Sequence, residues 1–177
     1  KMKWRLRETL RRVQEELGVT MIYVTHDQTE ALTFADQVAV MGEGRVLQID
    51  TPERIYNQPL HEFVGYFIGS PGMNFIAANA LRQPLSLQPG TCRVGFRPEW
   101  ATAGAAQSGQ LQGRVIAQQL QGTEHGAVVG VQRIETAAGE VTVRGSLTAA
   151  VGESVSVQLQ RYLCFSDQGQ LLADSGE

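Results

Sequence analysis

One histidine stands where a side chain could meet a bound ligand. His26 follows the apolar run Met21-Ile22-Tyr23-Val24 and Thr25, and precedes Asp27-Gln28-Thr29-Glu30-Ala31. A neutral imidazole carries one donor and one acceptor, so it can hydrogen-bond in both senses at once. Met21 to Thr25 is β-branched and aromatic and follows the turn residue Gly18, which predicts a buried strand. Asp27, with Glu30 three residues on, makes a D-x-x-E variant of the helix capping box. Ala31, Leu32 and Ala35 then supply an apolar helical face. His26 is thus expected at the carboxyl end of a buried strand, just before a helix, where open α/β sheets hold their ligands. On position alone, a packing or hydrogen-bonding role is the commoner one for such a histidine.

The elements that must position it come from the rest of the chain. Its 177 residues, 42% hydrophobic, suffice for one ordinary domain or two small ones. A net charge of −3 argues against general nucleic-acid binding, which needs a basic domain. No apolar run approaches the ~18 residues of a membrane span. No apolar h-region follows the opening Lys1-Met2-Lys3-Trp4-Arg5, so no signal peptide is expected. Cys92 and Cys164 have no metal-type spacing and are expected as free thiols in a reducing compartment. The chain reads as soluble and cytosolic. It opens inside a helical pattern, as a piece of a longer protein would.

Met2, Leu6, Leu10, Val13 and Leu17 form one stripe of an amphipathic helix that Gly18 can close. Six of the fifteen basic residues fall in the first twelve positions, but Glu8, Glu15 and Glu16 share that helix, so a solvated face is expected. Gln37–Met41 and Arg45–Asp50 flank Gly42-Glu43-Gly44 and predict a hairpin at a sheet edge. Thr51-Pro52-Glu53 is a helix start, and Pro59 closes that helix. Residues 61–68 predict another turn or two of helix, with Phe63, Val64, Phe67 and Ile68 on its apolar side. Gly69-Ser70-Pro71-Gly72 then breaks the pattern and marks the domain boundary. Beyond it, β-rich runs at 73–77, 93–97, 111–120, 127–134, 141–144 and 154–159, with glycines between, predict a small barrel or sandwich. An open, five-stranded OB-like barrel is the economical form.

The run from Gly18 to Met41 resembles the switch-histidine region of ATP-binding-cassette ATPases. The matching words are Tyr23-Val24-Thr25-His26-Asp27, Glu30-Ala31 and Ala35-Asp36-Gln37-Val38-Ala39-Val40-Met41. Phe67-Ile68-Gly69-Ser70-Pro71-Gly72-Met73-Asn74-Phe75 resembles the linker of the ATPase subunits of bacterial carbohydrate importers, the maltose and glycerol-3-phosphate group. Val94-Gly95-Phe96-Arg97-Pro98-Glu99 resembles that group's regulatory-domain motif, with Trp100 where histidine is usual. Val151-Gly152-Glu153 and Phe165-Ser166-Asp167 also fit.

The resemblance implies an α/β C-terminal part of an ABC nucleotide-binding domain over residues 1–50. A helical linker over 51–72 and an all-β, OB-like (TOBE-type) regulatory barrel over 73–177 would follow. It implies that His26 is the catalytic and nucleotide-binding residue, contacting the γ-phosphate of ATP and orienting the attacking water. ATP and magnesium are the cofactors implied for the full-length subunit, with none bound to this chain alone. The implied partners are a second copy of the subunit, membrane permease subunits, and a regulatory protein or small ligand on the OB-like domain. The implied place is peripheral, on the cytoplasmic face of the bacterial inner membrane.

No G-x-x-x-x-G-K-S/T phosphate loop occurs in the sequence, nor the family's LSGGQ-type signature or Walker B carboxylates. This chain alone is therefore expected not to hydrolyse ATP, because positioning and charge stabilisation of the phosphoryl group would be missing. The alternative reading is a non-catalytic OB-fold module that binds a small regulatory ligand. Nucleic acid is disfavoured, since residues 73–177 carry seven basic and eight acidic side chains. Arg97 and Glu99 are expected in a structural role around Pro98, either as a surface ion pair or fixing the barrel's geometry or dimer contact. Trp100 is expected in core packing.

Overall fold

The computed structural model of the chain describes residues 2–82, 85–105, 109–122 and 128–176, with side chains from residue 8 on. Helix α1 spans Met2–Leu17, and Gly18 at φ +60° closes it as expected. The side chains of Met2 and Leu6 in its stripe, and Lys1, lie outside the described residues. Helix α2 (Gln28–Phe34) follows, then strands β1 (Val38–Gly42) and β2 (Arg45–Asp50). These strands pair antiparallel around Glu43 and Gly44, both at positive φ, with a bulge between Val40 and Met41. Positive φ at both central residues gives the turn a twist that matches the strands. The hairpin was expected at the edge of a larger sheet; it forms a two-stranded sheet of its own.

The expected buried strand over 21–25 does not form. Residues 19–25 join no strand, and Ile22 and Val24 are 88% and 90% exposed. The period-2 alternation survives: the Tyr23 hydroxyl and Thr25 Oγ1 point back to the Glu30 carboxylate, while Ile22 and Val24 point outward. A buried strand needs neighbours to bond its peptide groups. No described strand pairs with this segment.

Helix α3 (Pro52–Asn57) forms where its cap predicts it, and helix α4 (Glu62–Phe67) forms within the predicted 61–68 turn. The Thr51 side chain accepts from the Arg54 amide, and His61 Nδ1 accepts from the Phe63 amide. Val64 and Ile68 of the expected apolar side are buried, whereas Phe63 and Phe67 are partly exposed and stack on each other. The hairpin, α2, α3 and α4 share one core built on Val38, Val40, Ile55, Val64 and Ile68. Buried Gln48 ties hairpin to helices: its amide donates to the Gln58 carbonyl and its Oε1 accepts from the Leu60 amide.

The remaining chain is β-rich, as expected, but carries nine described strands in two sheets rather than five in one barrel. One sheet joins β3 (Asn74–Ala77), β4 (Arg93–Phe96), β10 (Leu163–Phe165) and β11 (Leu171–Asp174), in the order β11-β10-β4-β3. The other joins β5 (Ala101–Ala105), β6 (Leu111–Gly122), β7 (Val128–Thr136), β8 (Gly139–Gly145) and β9 (Ser154–Leu159), in the order β5-β9-β6-β7-β8. The Ala127 start expected for β7 lies outside the described residues. All pairs are antiparallel. The five-stranded sheet curls, so that its edge strands β5 and β8 approach within 8 Å between Cα atoms.

The two sheets enclose one core of Ile76, Val94, Phe96, Val115, Ile134 and Val157 with their neighbours. Asn74 pins one sheet to the other, donating to the carbonyls of Phe96 and Thr142 and accepting from the Thr142 amide at 2.7 Å. The other face of the four-stranded sheet packs Met73, Leu163, Phe165 and Phe75. Gly95 lies beneath them: a Cβ there would sit 2.8 Å from both Phe165 and Phe75 and 2.9 Å from Met73 Sδ. Gly95→Ala should therefore destabilise by about 1–3 kcal/mol through overpacking. Urea unfolding measures it, and a shift below about 0.5 kcal/mol would show that this layer has slack.

Candidate functional site

The turn that carries His26 is fixed by its neighbours. The Asp27 side chain caps α2, accepting from the Glu30 amide at 3.1 Å, as the sequence predicts. The return half of the box is made differently: the Asp27 amide donates to Thr25 Oγ1 at 3.0 Å, and Thr25 in turn donates to the Glu30 carboxylate at 2.9 Å. Glu30 is buried and also accepts from the Tyr23 hydroxyl, whose ring packs edge-on against Phe34. His26 itself is exposed and has no hydrogen-bond partner among the described residues. It does not follow a strand. It stands on a loop braced on both sides, with its imidazole free to meet an incoming group.

Gln28, the first residue of α2, reaches away from this turn. Its Oε1 accepts from the Gly69 amide at 3.0 Å, across 41 residues. Gly69 has φ +112°, and a Cβ on it would meet Arg97 Nη1 and the Pro71 carbonyl at 3.0 Å. The close approach and the backbone conformation both require glycine there.

Arg97 is fully buried, which corrects the reading of Arg97 and Glu99 as a surface ion pair. Its Nε and Nη2 donate to the Tyr56 carbonyl at 3.1 and 2.7 Å, and its Nη1 donates to the carbonyls of Gly65 and Ile68. These carbonyls belong to the last turns of α3 and α4, which helix geometry leaves without partners. One guanidinium thus caps the C-termini of two helices, where their dipoles favour a cation. The Tyr56 ring stacks on it at 4.1 Å. Burial lowers the guanidinium pKa, with Tyr56 and Glu99 opposing the shift. Burial, then the hydrogen bond to Glu99, pushes the Tyr56 phenol up to about 12, so its hydroxyl remains a donor to Glu99 at 2.6 Å. Of the two structural readings, Arg97 and Glu99 therefore fix geometry. They do so between the helices and the four-stranded sheet that holds β4.

A second arginine repeats the device. Arg161 Nη2 donates to the Asn57 carbonyl, its guanidinium lies 4.3 Å from the Trp100 ring centre, and it grips Asp174 through two nitrogens. Trp100 is half-buried and packs on two cores, as expected, while serving as this platform. Burial alone would raise the Asp174 carboxyl, but the bonds from Arg161 and the Gly176 amide outweigh it and hold the pKa below the ordinary value. A depressed carboxyl stabilises the fold above its unfolded pKa, about 3.9, and that contribution disappears as pH falls through the folded value. Asp174→Asn should cost about 1.5–3 kcal/mol at neutral pH and flatten the loss of stability below about pH 4. Urea midpoints at pH 7 and pH 3 measure it; an equally steep acid loss in the variant would assign the acid sensitivity elsewhere.

Among the described residues, no three His, Cys, Asp or Glu side chains gather as a metal site, and no helix is long and apolar enough to cross a membrane. Cys92 and Cys164 are free thiols. Sequence reasoning singled out His26, Asp27 and Glu30, which the structure brings together in one turn. It missed Gln28 and the burial of Arg97. The one signal for Arg97 was a lone cation ending the apolar run Val94-Gly95-Phe96; the helix carbonyls it serves lie 29 to 41 residues earlier.

No family model matches the chain. It is 37% identical to an sn-glycerol-3-phosphate import ATP-binding protein of Rhodopseudomonas palustris over 179 aligned positions, covering 91% of the chain and 50% of that protein. A protein of the same name from Rhizobium meliloti is 41% identical over 70% of the chain and 38% of its own length. A trehalose/maltose import ATP-binding protein of Thermococcus litoralis is 50% identical over 78 residues, 44% of the chain. The chain spans about half the length, or less, of the curated relatives it matches. By sequence, the chain is a relative of the ATP-binding subunits of ABC importers of the glycerol-3-phosphate and maltose type, and matches their C-terminal part.

Proposed function

We propose that this chain is the C-terminal portion of the ATP-hydrolysing subunit that powers sugar or sugar-phosphate import across the bacterial inner membrane. Residues 1–50 would close the nucleotide-binding domain, 51–72 would link, and the curled five-stranded sheet with its companion would be the OB-like regulatory domain. The observation that carries the reading is His26: an exposed imidazole on a braced turn, inside the Tyr23-Val24-Thr25-His26-Asp27 word that resembles the switch-histidine region of the importer ATPases. In the intact subunit its two ring nitrogens would hold a γ-phosphate oxygen and the attacking water in line. Asp27, Thr25 and Glu30 keep the turn in place for that contact. The nucleotide supplies the phosphoryl group; the loop amides, lysine and magnesium ligands of a phosphate cradle are not among this chain's residues.

Two copies would close on ATP against a pair of membrane permease subunits, peripheral to the membrane on its cytoplasmic side. The β-rich domain would dimerise and receive regulatory signals. ATP binding and hydrolysis by this chain, beside the same chain extended upstream to the length of its relatives, test the reading. Turnover by the longer chain alone supports it, and a longer chain that neither binds nor hydrolyses ATP rules it out.

One observation favours the second reading, a module for a small regulatory ligand. An open cleft between α4, β3 and β8 is lined by Glu62, Tyr66, Met73, Phe75, Arg93 and Glu140, with Arg93 and Glu62 paired at 2.8 Å. Calorimetry with sugars, sugar phosphates and oxyanions tests that cleft directly.

A further inference from the structure

The Ile68–Gly69 peptide is gripped from both sides. Its N–H donates to Gln28 Oε1, two residues beyond His26, and its carbonyl accepts from Arg97 Nη1, at the end of β4. A peptide group is planar and rigid, so the two bonds cannot reorient independently. Gly69 at φ +112° lets the chain turn sharply after that plane, and Arg97 cannot shift without releasing the Tyr56 and Gly65 carbonyls as well. On the other side, Gln28 is the first residue of the α2 helix that Asp27 caps, so its side chain leaves the same turn that carries His26.

We infer that Gln28 is a positioning residue for His26, and that the Ile68–Gly69 peptide is the joint through which the β-rich domain sets the histidine's place. This rests on the reading of His26 as the γ-phosphate contact. A rotation of β4 relative to the helices would turn the peptide plane, and the plane would draw or release the start of α2. The device needs no ligand in the joint, only the acceptor on residue 28 and the donor fork on residue 97. Coupling of this kind requires one element that both sites bias, and the Ile68–Gly69 peptide is the group that Gln28 and Arg97 both hold.

Gln28→Ala removes the acceptor, while Gln28→Glu keeps a carboxylate oxygen at the same reach. In this chain, exchange of the Gly69 amide with solvent should quicken at least about tenfold in Gln28→Ala and stay slow in Gln28→Glu, as expected for a single released bond. In the subunit extended to its relatives' length, Gln28→Ala should lower kcat by about ten- to a hundredfold with nucleotide affinity unchanged, since small misplacements of a reacting group cost that much. Gln28→Glu should restore most of it. Unchanged Gly69 exchange in Gln28→Ala overturns the joint. Unchanged turnover in Gln28→Ala, with turnover lost in His26→Ala, overturns the coupling while leaving the role of His26 intact. Full turnover in His26→Ala removes the reading on which both rest.

Discussion

Replacing Arg97 with methionine should cost about 3–5 kcal/mol, a large share of the 5–15 kcal/mol that holds a domain together. Methionine fills similar volume, so the loss isolates the guanidinium rather than a cavity. Without it, the carbonyls of Tyr56, Gly65 and Ile68 face a buried space with fewer donors, and each unsatisfied group costs about 1–3 kcal/mol. The Gly65 carbonyl keeps the Met73 amide, so the three losses are unequal. Arg97→Lys should rescue little: one ammonium keeps the charge but cannot span carbonyls that Nε, Nη1 and Nη2 reach together. Urea unfolding by circular dichroism measures both variants. A loss under about 1 kcal/mol in Arg97→Met would show that the helix ends find other donors.

His26→Ala should do the opposite, sparing the fold and removing the chemistry. The imidazole is exposed and its turn is braced by Asp27, Thr25 and Glu30, so stability should change by less than about 0.5 kcal/mol. In the subunit extended upstream, kcat should fall by about 10²–10⁴, the usual worth of a positioned proton-transfer or water-orienting group. A residue that changes stability but not turnover would be packing. One that changes turnover but not stability acts on the reaction.

Local chemistry made much of this legible in the sequence. Asp27, Thr51 and Gly18 announced their helix ends because capping is settled within a few residues. The strands around Val94, Val131 and Val157 were legible from alternation and the glycines between them. What was hidden depends on partners far along the chain. The 21–25 run has strand composition, yet a strand exists only where a neighbour bonds it. Strand β5, Ala101–Ala105, has small side chains with no apolar contrast, and β10 is three residues long, so neither rises above its surroundings. By type alone, Gln28 and Arg97 carry no mark of their distant partners. Their burdens come from Gly69 and the ends of α3 and α4, at least 29 residues away.

The most direct test of the central claim measures nucleotide affinity and turnover together on the subunit extended to the length of its relatives, with His26 and with His26→Ala. The account predicts that both forms bind ATP alike and that only the form with His26 turns it over. Equal turnover by the two forms would contradict it and leave His26 a surface residue of the α2 turn.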